Sequence, residues 1–507
     1  MKQKTTKILS LILALILFTG AFAPLCFAGE NHEQVPVIVV PGFMSTDIYA
    51  DKNDPQSELV WPPKTDDILE AVKGLVPALA RFGLDFNKDR FCDAVIPLVN
   101  DIFAPAVLNP DGTPKGDSGV LDFYPPAQDV NAFGVYTFRY DWRIDPMEIA
   151  SQLNTFIDFI LENSGCDKVS IESHSLGGLI TTTYMALYGD AKLKNIVMNS
   201  TAVFGESFNG ELLNGNIHLK GDALVKYMKF TFEGNQYETL LNKIFEILQK
   251  GGVLDLVCQL GNDFVDAFSY RVIPESIAPL FAGWLTIWGM IPDEYIDGAM
   301  DYIFNTVYQN DETHAALKEK VTAFNQTVRC RKAEVLQQAN EHANLFVIAR
   351  YGYSAIPVTP AYNRMTDCSV DTTYASYGAI CAEYDKYLTQ EQISGVSEAY
   401  ISPDLKINAA TCLFPEQTWF VRDLSHSREN EDFALLINTL LGADEQYTVD
   451  TLPGFSRFMT VEGERLVPTQ KQTPDAGHQG IFGKLKAFFE ALIEKLALYM
   501  STFTANC

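Results

Sequence analysis

The feature that most constrains the fold is an alternation of short apolar runs with segments whose apolar residues recur at helical spacing. Parallel strands buried on both faces are nearly unbroken apolar runs, and helices connect such strands. The sequence therefore predicts an α/β fold, specifically an α/β-hydrolase fold with a mostly parallel central sheet. The predicted strands are Val35 to Val40, Val135 to Tyr140, Lys168 to Glu172, Asn195 to Ser200, Leu345 to Ala349 and Thr418 to Val421.

The alternation lapses between Phe204 and about Glu341, where the chain becomes helical and rich in large apolar residues. We interpret residues 204–341 as a cap or lid inserted into one catalytic unit, because a chain of 507 residues exceeds one minimal domain without requiring a second core. The core is then formed by residues 29–203 and 342–459.

Within the cap, the segment from Trp284 to Ile291 has two interpretations. Apolar residues at helical spacing usually form a local core. Alternatively, the segment lines an acyl-chain tunnel or faces a lipid surface.

The amino terminus has the organisation of a secretory signal peptide. Lys2, Lys4 and Lys7 precede an apolar run, and small residues follow at Ala28 and Gly29. We therefore expect residues 1–28 to be removed and the mature chain to lie outside the cytoplasm, secreted or in the cell envelope. A lipoprotein interpretation of Cys26 is weaker, because Pro24 and Leu25 stand where small residues are expected.

The carboxyl terminus, residues 460–507, is predicted to be a polar linker and an amphipathic helix. Apolar residues recur at helical spacing from Ile481 to Phe503, with lysines and glutamates on the other face. Docking on the protein body and contact with a membrane or lipid interface both remain open for this helix.

Charge and cysteine content exclude some partners. The net charge is −26, and loss of the three leader lysines makes it −29, so nucleic acid is not an expected partner. Eight cysteines remain after Cys26 is removed, none in a Cys-x-x-Cys pair of the zinc-site type, and their pairing is not readable. We expect no metal and no organic cofactor.

The sharpest local motif is Ser173-His174-Ser175-Leu176-Gly177-Gly178, which follows a predicted strand and opens a predicted helix. This is the arrangement of a nucleophile elbow, in which a strained turn lifts the serine above the sheet. Ser173 occupies the position where glycine is commoner. The motif predicts Ser175 as a nucleophile for acyl transfer.

Acyl transfer also needs two N–H groups directed at the oxyanion. We expect one from Leu176, which follows the nucleophile. The second should come from the loop after an early strand, where Pro41-Gly42-Phe43 makes the N–H of Phe43 the candidate.

The base should be a histidine late in the chain, because this fold orders its triad as serine, acid, histidine. His426 follows the strand Thr418 to Val421, whereas His478 lies in the linker and His218, His314 and His342 lie in or beside the cap. We predict His426 as the base and expect His174 to pack locally within the elbow.

The acid should follow the strand Leu345 to Ala349. Asp367 is preferred, because its spacing to Val370 matches the Asp-Gly-x-Val turn common at this site. Asp371 and Asp404 remain alternatives, and Asp371 is better explained as a turn or capping residue.

Three blocks resemble the lecithin:cholesterol acyltransferase and lysosomal phospholipase A2-like family of α/β-hydrolase lipases, in its bacterial secreted branch. They are Val35 to Gly42 with Leu59-Val60-Trp61-Pro62, Phe138 to Arg143 with its Tyr-Asp-Trp-Arg sequence, and Ser173 to Gly178. The resemblance is weaker through the cap and is detectable again near Asp367 and His426. There, Cys368 replaces the glycine expected after Asp367.

The resemblance implies a serine lipase or esterase that forms an acyl-serine from a lipid carboxylic ester, a phospholipid or acylglycerol, and passes the acyl group to water or an alcohol. A peptidase or thioesterase could use the same triad, because the elbow indicates acyl transfer and not the leaving group. A non-catalytic surface-binding protein is the alternative from another class, and the ordered serine, acid and histidine candidates argue against it.

Overall fold

The computed structural model describes residues 35–63, 78, 81–121, 124–217 and 267–471. The signal-peptide prediction, the carboxyl-terminal helix, His218 and His478 lie outside these ranges, as do residues 218–266 of the predicted cap. Fourteen strands are described: β1 Val37–Val40, β2 Ile48–Tyr49, β3 Leu59–Trp61, β4 Val135–Thr137, β5 Val169–His174, β6 Leu193–Asn199, β7 Asn344–Tyr351, β8 Tyr353–Ser354, β9 Met365–Thr366, β10 Ile380–Cys381, β11 Ile407–Asn408, β12 Thr418–Arg422, β13 Phe458–Glu462 and β14 Arg465–Pro468.

Eight of these strands form the central sheet, in the order β14-β13-β12-β7-β6-β5-β1-β4. Every neighbouring pair is parallel except β13 and β14, which are antiparallel at one edge. The prediction of an α/β fold with a mostly parallel central sheet is thereby confirmed. The sheet continues beyond residue 459, to Pro468, because the chain reverses at Gly463 (φ 64°) and pairs β14 with β13.

Helices cover both faces of the sheet. The α-helices are α1 Lys88–Phe103, α2 Pro146–Ser164, α3 Leu176–Tyr188, α4 Ser207–Leu213, α5 Ala278–Gly283, α6 Leu285–Gly289, α7 Ile296–Asp301, α8 Ala315–Thr327, α9 Lys332–His342, α10 Thr372–Ala375, α11 Gln390–Ile393 and α12 Glu431–Leu441. Two π-helical segments, Phe268–Ile277 and Tyr302–Val307, precede α5 and follow α7.

The two faces of strand β7 show why its sequence is an unbroken apolar run. Phe346 and Ile348 belong to the cluster that packs under α12, whereas Leu345 and Val347 belong to the larger cluster on the other face. Successive side chains of a strand point to opposite faces. A strand covered by helices on both sides therefore needs apolar residues at every position.

Helix α2 shows how local signals set the ends of an element. Asp145 precedes it, and its side chain accepts a hydrogen bond from the N–H of Met147, while Pro146 occupies the first helical position. Gly165, at φ 71°, ends the helix in a left-handed conformation that glycine adopts readily.

The described parts of the predicted cap, residues 204–217 and 267–341, are mainly helical and lie between β6 and β7 in the chain. The segment from Trp284 to Ile291 is almost entirely buried and packs into the main core. Trp284 anchors it, with its ring 5.2 Å from that of Trp142 and its Nε1 donating to the carbonyl of Ala106 at 3.0 Å. This segment is therefore not a lipid-facing surface in this structure.

Within the described ranges, we find no helix that combines the length and the apolar character needed to cross a membrane.

Candidate active site

Ser175 lies at a sharp turn between strand β5 and helix α3. Its backbone has φ 56° and ψ −123°, a region that residues other than glycine rarely adopt. The turn is fixed because the carbonyl of Ser175 accepts from the N–H groups of Gly178 and Ala202, both at 3.1 Å. The strained conformation predicted for the elbow is thus present at Ser175.

The small residues around the turn are required by close packing. A Cβ atom at Gly177 would lie 2.0 Å from the carbonyl oxygen of Val40, and one at Gly178 would lie 2.3 Å from the side chain of Thr201. Ser173, which stands where glycine is commoner, is fully buried, and its hydroxyl is 2.7 Å from that of Thr181. This hydrogen bond satisfies the extra polar group that serine brings into the elbow.

The loop after β1 comes very close to Ser175. A Cβ atom at Gly42 would lie 2.8 Å from the Cβ and 3.3 Å from the Oγ of Ser175. Phe43 lines the same cavity as Ser175, and its ring packs 4.7 Å from that of Trp142. Leu176 is the first residue of α3, where N–H groups have no acceptor within the helix. Both predicted oxyanion donors therefore lie beside Ser175.

Asp367 and His426 form a hydrogen-bonded pair. The Nδ1 of His426 lies 2.7 Å from Oδ2 of Asp367, and both side chains are buried. The other carboxylate oxygen of Asp367 accepts from the N–H groups of Ser369 and Val370, at 3.0 and 2.8 Å. Burial opposes ionisation, but His426 and the guanidinium of Arg350 outweigh it and lower the pKa of Asp367. Asp367 is therefore the ionised partner of His426.

The two alternative acids have other partners. Asp371 accepts hydrogen bonds from the N–H and the hydroxyl of Ser207, at 2.7 and 2.9 Å. Asp404 accepts hydrogen bonds from the hydroxyl groups of Ser402 and Tyr351. Among the described residues, Asp367 is the one carboxylate that pairs with His426.

His174 packs against His426, in agreement with its expected local role. Its Nε2 is 3.0 Å from the carbonyl oxygen of His426, and the two rings lie 4.5 Å apart. Burial, together with His426 and Arg350, lowers the pKa of His174 well below its usual value, so the ring is neutral. His314 and His342 lie on other parts of the surface, where His314 stacks on Tyr308 and His342 contacts Asp190.

Arg350, at the end of β7, holds the loop that carries His426. Its Nη1 donates to the carbonyl oxygens of Ser425, His426 and Arg428 at 2.9, 3.0 and 2.7 Å, and its Nη2 donates to Asn199 at 2.9 Å. We did not identify this residue from the sequence. The available signal was a charged residue inside an apolar strand, since a buried guanidinium requires several acceptors.

Ser175 and His426 open into one cavity. Its apolar lining residues come from the early loop and from the predicted cap, which includes α4. Its polar lining residues include two carboxylates, Glu206 and Glu429, that we did not predict as site residues. The apolar residues are Phe43, Met44, Phe208, Phe281, Ile287 and Met290, and the polar ones include Glu206, Asn209, Ser369 and Glu429.

Within the ranges that the structure covers, no group of three or more histidine, cysteine, aspartate and glutamate side chains has the arrangement of a metal site.

Comparisons with known proteins give little further information. No protein-family model matches the chain, and no curated protein is significantly similar to it. Among solved structures, one described as "The crystal structure of Tle4-Tli4 complex" aligns at 18% identity, with a TM-score of 0.19, over 36% of this chain and 48% of that one. The alignment spans about half of that chain, and so small an overlap carries no argument about function.

Proposed function

We propose that the chain is a secreted serine lipase or esterase, which hydrolyses or transacylates lipid carboxylic esters through an acyl-serine. The observation that carries the proposal is the Asp367–His426 pair, whose histidine lines the same cavity as a serine held in a strained strand-to-helix turn. Acyl transfer needs this combination of nucleophile, base and orienting acid. We also propose membership of the lecithin:cholesterol acyltransferase and lysosomal phospholipase A2-like family.

In the proposed mechanism, the Nδ1–H of His426 donates a hydrogen bond to Asp367. Nε2 of the neutral ring is then unprotonated and acts as the base. Nε2 takes the proton of Ser175 as Oγ bonds to the ester carbonyl carbon, and the carbonyl electron pair moves onto the oxygen. The N–H groups of Phe43 and Leu176 stabilise this oxyanion. Collapse of the intermediate expels the alcohol, which receives the proton from His426.

Deacylation repeats these steps with a second acceptor. Water or an alcohol gives its proton to His426 while its oxygen bonds to the acyl carbon, and Ser175 leaves as the protonated hydroxyl. No metal or organic cofactor takes part in the proposed reaction.

The apolar lining of the cavity supports a lipid substrate over a peptide. Phe208, Phe281, Ile287 and Met290 all belong to the predicted cap, so the acyl chain would lie between the cap and the core. Burying such a chain against apolar side chains is favourable by about 0.8 kcal/mol for each methylene. We expect the cap and residues 481–503, which the sequence predicts to form an amphipathic helix, to contact a lipid interface during catalysis.

The test is hydrolysis of p-nitrophenyl esters, from butyrate to palmitate, by the mature protein beginning at Gly29. We expect activity on long chains and its loss in Ser175→Ala. Ser173→Ala is the matched control, because it alters the same elbow without removing the nucleophile, and it should retain most of the activity. If the wild-type protein turns over no ester, the proposal is wrong, and the peptidase and surface-binding interpretations gain support.

A further inference from the structure

Glu206 is a buried carboxyl group that the proposed mechanism does not use. It directly precedes α4, lines the cavity of Ser175 and is only 7% exposed. Its main-chain N–H donates to the carbonyl of Met290 at 2.8 Å, which fixes its backbone against the cap. Its Oε1 is buried and has no hydrogen-bond partner within the described part of the chain. A buried polar group without a partner is unfavourable, so a ligand that supplies the partner gains binding energy.

The surroundings of Glu206 determine which partner could satisfy it. Burial, reinforced by the negative charges of Asp371 and Asp367, raises the pKa of Glu206 well above its usual value. The protonated form of the carboxyl group is therefore favoured, and it can donate a hydrogen bond as well as accept one. An uncharged oxygen of a bound ester fits such a donor.

An anionic group would be disfavoured beside Glu206 in this cavity. Glu429 also lines it, and burial raises the pKa of Glu429 against the opposing effect of Arg350. Arg350 is the one lysine or arginine among the described lining residues, and its Nη1 and Nη2 already donate to three carbonyl oxygens and to Asn199. A phosphate beside Glu206 would meet the negative charges of Asp371 and Asp367. The two amino groups of Arg350 are already engaged, and among the described residues its Nε is the donor left without a partner.

We propose that Glu206 determines substrate specificity by hydrogen-bonding an uncharged oxygen in the alcohol part of an acylglycerol, and that the negative charges of Asp371 and Asp367 near it disfavour phospholipids. This inference rests on the proposed function and narrows it to neutral glycerol esters. Glu206 would contact the substrate without taking part in proton transfer to or from Ser175.

The experiment compares 1,2-dioleoylglycerol with dioleoylphosphatidylcholine in the same detergent micelles, and uses p-nitrophenyl oleate to report ester cleavage alone. The wild-type kcat/KM should be higher for dioleoylglycerol by about tenfold or more. Glu206→Ala should lower kcat/KM for dioleoylglycerol about tenfold more than for p-nitrophenyl oleate, the effect of one lost hydrogen bond. Glu206→Gln keeps the shape and a donor, so its ratio of the two activities should stay close to that of the wild type.

Glu211→Ala is the matched control, because Glu211 is a buried glutamate of the same helix that bonds to Tyr295 and Asn216 outside the cavity. It should change both activities by the same factor. Equal or faster hydrolysis of dioleoylphosphatidylcholine by the wild type, or equal losses on both esters in Glu206→Ala, would overturn the inference. If Glu206→Ala does not fold, the preference of the wild-type protein for one of the two lipids tests the inference. Absence of p-nitrophenyl oleate hydrolysis by the wild type would instead refute the proposed function, and this inference with it.

Discussion

His426 and Asp367 are joined twice, by side chain and by main chain. Nδ1 of His426 lies 2.7 Å from Oδ2 of Asp367, and the N–H of His426 donates to the carbonyl oxygen of Asp367, also at 2.7 Å. The main-chain bond holds the two loops together, and the side-chain bond fixes the rotation of the ring. The histidine is therefore oriented before any substrate binds, which is the state that efficient proton transfer requires.

Replacing Asp367 by asparagine should lower kcat by about 10³- to 10⁴-fold, because an amide can stabilise the wrong tautomer of the histidine and carries no charge to balance the imidazolium. Asp371→Asn is the matched control. Asp371 is an equally buried carboxylate four residues away that bonds to Ser207 and not to His426. Steady-state rates on a p-nitrophenyl ester test both variants, and a larger loss in Asp371→Asn would identify Asp371 as the acid.

Gly42→Ala should lower kcat/KM by about 100-fold, because the new methyl group would lie 2.8 Å from the Cβ of Ser175 and displace the nucleophile or the oxyanion loop. Gly283→Ala is the control, since its Cβ would meet no atom within 4 Å and the residue lies in α5. Ester kinetics together with thermal unfolding separate a local effect from loss of the fold. Equal activity in the two variants would contradict the close approach of Gly42 to Ser175.

Arg350→Lys should lower kcat by about tenfold or more with a smaller change in KM, because an ammonium group cannot hold all the carbonyl oxygens of the His426 loop in place. The free energy of unfolding should also fall by about 1–3 kcal/mol. Arg143→Lys alters another buried arginine, which pairs with Asp141 at 2.8 Å. It should lose stability without the same specific loss of kcat, so similar kinetics in both variants would argue against a positioning role for Arg350.

Glu172 should make stability depend on pH. Burial, with a smaller contribution from Glu429, raises its pKa from 4.5 to about 7. Between these values the folded protein keeps a proton that the unfolded chain has released, so the free energy of unfolding should fall as the pH rises. The contribution of Glu172 to the free energy of unfolding is thus fully present below pH 4.5 and is lost as the pH passes about 7. The loss amounts to roughly 3 kcal/mol for this group.

Glu172→Gln should remove that component, so the variant should gain stability relative to the wild type as the pH is raised from about 5 to about 8. Urea unfolding at several pH values measures the difference. Glu162→Gln, at an exposed position near the end of α2, is the control and should follow the wild type. A constant difference between Glu172→Gln and the wild type across this range would show that Glu172 does not titrate as expected.

Six strands of the central sheet and the candidates Ser175, Asp367 and His426 were accessible to sequence reasoning because local chemistry determines them. The run Leu345 to Ala349 is apolar on both faces and became β7, and small residues at Gly177 and Gly178 are imposed by contacts of the elbow. Asp367 was preferred for a turn spacing that the structure contains, even though Cys368 holds φ 84° where glycine would be unstrained.

Other features depend on contacts between distant parts of the chain, which a single sequence does not display. Glu206 reaches the cavity because α4 packs against the cap, and Arg350 is important only because the His426 loop folds back over β7. Strand β14 was not predicted, because Arg465 to Pro468 contains polar residues and proline. An edge strand tolerates both, since one of its sides has no neighbour.

Reaction with a fluorophosphonate tests the central claim most directly, because the reagent forms a covalent bond only with an activated nucleophile and loses fluoride as it does so. We expect one adduct per molecule, located by peptide mass spectrometry at Ser175, abolished in Ser175→Ala and formed much more slowly in His426→Ala. An unlabelled wild-type protein, or an adduct at another residue, would contradict the assignment of Ser175, Asp367 and His426 as a catalytic triad.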